Sequence, residues 1–155
     1  MSQQPEQPMF SIEKLFVKDL SVEVPNAPKI FLERETPQVE IQMTTTANPI
    51  DEGYYEVLVS VTVTARLAEK IVFLVEASQG GVFQIRNVPQ GELDPVLGIT
   101  CPNILYPYVR EVVSDAVVRA GFAPVVLNPV NFDAIFQAQR EAKAKSATGA
   151  GATTH

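Results

Sequence analysis

Tyr55-Glu56-Val57-Leu58-Val59-Ser60-Val61-Thr62-Val63-Thr64-Ala65 decides the fold: every odd position is apolar, while Glu56, Ser60, Thr62 and Thr64 face the other way. A two-residue period sustained over this length is that of a β-strand with one face buried and the other wet. Downstream, Ala68-Glu69-Lys70 serves as a hairpin connection into Ile71 to Gln79, whose odd face carries Ile71, Phe73, Val75 and Ala77. Gly80-Gly81 predicts a bend, with Val82 to Ile85 as a short continuation. Upstream, Val39, Ile41 and Met43 alternate with Gln38, Glu40, Gln42 and Thr44 in another strand, and Ala47 to Gly53 reads as a turn.

The first strand spans Met9 to Val24, with Phe10, Ile12, Phe16, Leu20, Val22 and Val24 apolar on even positions. Leu15-Phe16-Val17, together with Lys14 and Lys18, breaks that alternation, which predicts a bulge in a long, bent strand. Pro25-Asn26-Ala27-Pro28 ends it, because two prolines cannot donate to a central ladder. Ile30-Phe31-Leu32 reads as a loop segment packed on the body.

Beyond the loop Asn87 to Asp94 the period changes to that of a helix over Pro102 to Ala120. Gly121 supplies its stop, and Pro124 prevents resumption. The polar stripe of this helix (Arg110, Glu111, Ser114, Asp115, Arg119) is narrow, so the helix has apolar surface for more than one partner, which points to oligomerisation. Asn131 caps a second helix with Phe132, Ile135 and Phe136 on one face. Strands in succession followed by helices predict an α+β fold, a four-stranded antiparallel sheet with two C-terminal helices on one side. The organisation expected is a flexible N-terminal tail at 1–8, a single domain at 9–143 and a disordered tail at 144–155.

A formal charge of −6 disfavours nucleic acid and anionic membrane surfaces as partners. No basic start with an apolar stretch precedes Met9, and no apolar run approaches the roughly 20 residues of a membrane-spanning helix, so a cytoplasmic protein without membrane insertion is expected. Cys101 is the only cysteine and His155 the only histidine, which leaves nothing with which to build a Cys–His couple or a zinc site. No enzymatic activity, catalytic residue, metal or cofactor is therefore expected, and Cys101 reads as a small buried apolar group.

Four segments carry a resemblance. They are Lys18-Asp19-Leu20-Ser21-Val22-Glu23-Val24-Pro25-Asn26-Ala27-Pro28, Phe73-Leu74-Val75-Glu76-Ala77-Ser78-Gln79-Gly80-Gly81-Val82-Phe83, Cys101-Pro102-Asn103-Ile104-Leu105-Tyr106-Pro107-Tyr108 and Pro129-Val130-Asn131-Phe132-Asp133-Ala134-Ile135-Phe136. In that order they resemble the SecB family of bacterial export chaperones. The resemblance implies a cytoplasmic homotetramer, a dimer of dimers, that holds unfolded precursor proteins without ATP and delivers them to the SecA ATPase for translocation. A SecB-like chaperone dedicated to a toxin–antitoxin pair is the alternative within the same family.

By the same resemblance, Asp19, Glu23, Leu74 and Glu76 form the docking surface for the zinc-containing C-terminal tail of SecA. Parity agrees, since Asp19 and Glu23 share one face of their strand and Leu74 and Glu76 share one face of theirs. The family's tetramer contacts fall on Val75, Ala77 and Gln79 and on the helix from Ile104 to Arg119. Its client groove falls on Ile30, Phe31, Ile41, Met43 and Phe136, residues that equally suit an ordinary core. Many relatives carry a tryptophan near Glu35-Thr36, and this chain has none.

Overall fold

A computed structural model describes the backbone of residues 6–150 and the side chains of 6–147. Strands β1 (Met9–Glu23), β2 (Gln38–Asp51), β3 (Tyr54–Leu67) and β4 (Lys70–Arg86) form one antiparallel sheet in the order β1-β4-β3-β2. Helices α1 (Gln90–Pro95), α2 (Cys101–Arg119) and α3 (Phe132–Ala150) follow, with a π turn at Val96–Thr100 joining the first two. Val57, Val59, Val61, Val63 and Ala65 of β3 and Phe73, Val75 and Ala77 of β4 are buried with Leu105, Val109, Val113 and Val117 of α2. The alternation of β3 thus becomes the floor of the core, and α2 lies across the two central strands.

Two bulges in β1, at Glu13 and Lys18, account for its broken alternation. Each inserts a residue and reverses parity. As a result Phe10, Ile12, Leu15, Val17, Leu20 and Val22 stand opposite odd residues of β4, on the helix side, although their own numbers change from even to odd and back. Phe16, grouped by sequence with the even apolar set, lies instead on the helix-free face opposite Gly80. A Cβ at Gly80 would stand 2.6 Å from the Phe16 ring, so glycine here supplies space. Gly81 does the same on the other face, where a Cβ would come within 2.6 Å of the Phe83 ring and 3.0 Å of Leu105 Cδ2. The pair does not interrupt β4, whose pairing continues to Arg86.

Three further expectations change. β2 continues through Pro49 to Asp51, and the turn shrinks to Glu52-Gly53. Proline is tolerated because β2 is an edge strand, where a missing N–H breaks no ladder. The expected loop at Asn87 to Asp94 contains the start of α1. α3 runs on through Ala150, where the composition reads as a tail from 144; Ala142, Ala144 and Ala147 with Lys143 and Lys145 are strong helix formers. Residues 1–5 and 151–155 of the expected tails lie outside the described residues.

The helix ends follow their predicted chemistry. Gly121 has φ of 98°, Phe122 N–H donates to Val117 O and Gly121 N–H to Val118 O, a Schellman closure of α2. At the start of α3, Asn131 Oδ1 accepts from Ala134 N–H at 3.0 Å.

Leu105 is fully buried against Gly81. Truncating it to alanine is expected to cost about 2–5 kcal/mol, seen as a lower urea midpoint with native-like circular dichroism below the transition.

Candidate functional site

The register of β1 against β4 brings the four expected docking residues onto one surface. Glu23 stands opposite Leu74, Ser21 opposite Glu76 and Asp19 opposite Ser78, so all of them point away from the helices. Directly opposed side chains lie about 5 Å apart and diagonal ones about 7–8 Å, which sets Glu76 diagonally between Asp19 and Glu23. Asp19, Glu23 and Glu76 are exposed, and Leu74 is half-buried among them. Among the described residues none of the three carboxylates makes an ion pair. The face offers uncompensated negative charge beside a small apolar contact.

The opposite side of the sheet carries apolar surface that α2 leaves uncovered. Along β2, Val39 and Ile41 stand opposite the buried Ala65 and Val63 yet remain 45% and 46% exposed. Met43, next in the row, is half-buried against the core. Phe31 is 49% exposed and stacks on Phe122 at 5.3 Å, and Phe122 in turn lies 5.0 Å from Phe73. The α2 cap therefore positions this aromatic ladder, because the Gly121 turn delivers Phe122 to it. Phe136 of α3 lies on the π turn that touches β2, where a Cβ at Gly98 would come within 2.6 Å of its ring. The Arg140 guanidinium lies 5.6 Å from the Phe136 ring centroid.

Not every expected residue lines these surfaces. Ile30 is 5% exposed and belongs to the core, because the 3-10 turn Lys29–Leu32 aims it inward while turning Phe31 out. Val75, Ala77 and Gln79 are buried within the single chain, on the face of the sheet that α2 covers. Alternation does not reveal that Phe10, Ile12, Val17, Leu20 and Val22 on β1 form an exposed stripe. Val39, on the same face of β2 as Ile41, is a further exposed apolar residue whose shared parity with Ile41 is its signal in the sequence.

Cys101 is fully buried and desolvation pushes its thiol up to about 12. Burial likewise raises Tyr106, against the lowering effect of nearby Arg110, and its hydroxyl donates to Asn128 O. Among the described residues no group of His, Cys, Asp and Glu is placed to hold a metal ion. No described helix is long and apolar enough to cross a membrane.

Residues 3–143 match the family described as preprotein translocase subunit SecB. The protein-export protein SecB of Methylobacillus flagellatus is 57% identical over 98% of this chain and 95% of its own length. That of an Azoarcus species is 66% identical over 88% and 91%. Among solved structures, a SecB-like chaperone of Mycobacterium tuberculosis, in complex with a peptide from an antitoxin, aligns with a TM-score of 0.63 over 78% of this chain and 90% of its own, at 19% identity. That likeness is one of fold.

The buried, protonated thiol predicts inertness: iodoacetamide at pH 8 should leave the native protein unlabelled and add one group per chain in denaturant. Mass spectrometry reads both states.

Proposed function

The chain belongs to the SecB family and is an export chaperone, and from that premise we propose how its two faces divide the work. Unfolded precursor segments bind the apolar flank formed by Phe31, Val39, Ile41 and Met43, with Phe136 at its far end. The observation that carries this reading is the half-exposure of large apolar side chains along an edge strand already backed by a complete core. Precursors differ in sequence, so capture cannot depend on fixed side-chain hydrogen bonds. Non-directional burial at roughly 25 cal/mol per Å² tolerates that variety.

Association into a homotetramer, a dimer of dimers, is supported by the uncovered stripe of β1 and by the outward residues of α2, including Tyr108 and Val118. Val75, Ala77 and Gln79 hold α2 in place for it. Several weak client sites on one particle then multiply avidity. A charge of −6 per chain, about −24 for four, keeps such a particle soluble.

The helix-free face receives SecA through its basic, zinc-containing C-terminal tail, with Asp19, Glu23 and Glu76 as charged contacts and Leu74 as the apolar one. The charges speed and orient encounter, and salt weakens them. The work is placed in the cytoplasm, where precursors emerge, and includes no catalytic step. Export is favoured over a toxin–antitoxin role, since relatives at 57% and 66% identity are named for export.

Purified protein is expected to delay refolding of a denatured precursor. Phe31→Ala with Ile41→Ala should shorten that delay without unfolding the chain. Asp19→Ala with Glu23→Ala should keep the delay and lose handover to SecA. Equal handover by this variant would remove the docking surface from the proposal, and a sedimentation mass of one protomer at micromolar concentration would remove the tetramer.

A further inference from the structure

The docking carboxylates share their face with a lysine that ordinary alternation would have sent to the other side. Lys18 occupies the extra position of the second β1 bulge, immediately before Asp19. The bulge turns its side chain onto the helix-free face. There its ammonium lies 3.0 Å from both carboxylate oxygens of Glu56 on β3. To reach them it crosses β4, where the Phe16 ring and the Leu58 side chain fill the space over Gly80. The Glu56 side chain is 17% exposed and that of Lys18 48%.

We propose that Glu56 is a positioning residue for the docking face: it draws the Lys18 ammonium away from Asp19, so that Asp19, Glu23 and Glu76 meet a basic partner uncompensated. This rests on reading that face as the SecA docking surface. Without Glu56, a cation on a flexible four-carbon stem has Asp19 as its nearest neighbour in the chain, and pairing there competes with the partner. Lys14, the other β1 cation of this face, stands opposite Val82, farther along the sheet from Asp19.

The test titrates a zinc-loaded synthetic peptide of the SecA C-terminal tail into the full-length protein by calorimetry, at low and high salt. Glu56→Gln is expected to weaken binding about threefold at low salt, with little difference at high salt. Lys18→Met should bind at least as tightly as the unaltered chain, and the double variant should regain that affinity. Glu69→Gln, which removes the same charge from the β3–β4 turn, should weaken binding less. Refolding delay of a denatured precursor should be the same in all of them, as the control for folding.

If Glu56→Gln binds normally while Asp19→Ala with Glu23→Ala does not, Glu56 has no positioning role and the docking face stands. Failure of Lys18→Met to rescue Glu56→Gln would equally overturn the inference. If Asp19→Ala with Glu23→Ala also binds normally, the docking surface itself is wrong and the inference falls with it.

Discussion

One helix is too narrow to cover four strands. With strands about 4.8 Å apart, the outer two of a four-stranded sheet stand roughly 14 Å from each other, whereas a helix with its side chains is about 10 Å across. α2 therefore seals β3 and β4, whose inward valines are inaccessible, and leaves the inward residues of both edge strands partly bare. Had α3 been laid on the sheet beside α2, one of these flanks would have closed. Instead α3 is held by the π turn, through Phe136 against Gly98, and by α2, through the buried Phe132 against the Tyr106 ring.

The two bare flanks differ in kind. On β1 the exposed side chains form a continuous apolar stripe on a long edge strand, a surface suited to a partner of fixed shape. On β2 the apolar residues are fewer, and Val39 shares a cross-strand row with Ala65 and with Phe73 of the Phe31–Phe122–Phe73 ladder. Rings stacked on rings offer area without directional demands, which suits partners of changing sequence. The helix-free face is independent of both, because side chains in a strand alternate between faces and the sheet lies between them. Charge can gather there without desolvation, and apolar area can remain on the other face without burying a carboxylate.

Much of this was legible in the residues. The alternation of β3 identified the sheet, and the change of period at Pro102 identified the helix that covers it. Gly121 and Asn131 marked helix ends that the hydrogen bonds bear out. Parity placed Asp19 with Glu23 and Leu74 with Glu76, and pairing of β1 with β4 joined the two sets. What misled was local chemistry whose meaning depends on a distant neighbour. Pro49 reads as a break until β2 is known to be an edge, Gly80-Gly81 reads as a bend until the Phe16 ring is seen above it, and Ile30 reads like Phe31 until the 3-10 turn separates them.

The sequence by itself determined the alternating faces of β2 and β3, the stop of α2 at Gly121 and the start of α3 at Asn131, because each depends on spacing and composition within a short window. Tertiary structure alone decided the order of strands, the parity reversals in β1, and therefore which apolar side chains are sealed and which remain open. Periodicity reports the direction in which a side chain points, but only long-range register decides what stands opposite it.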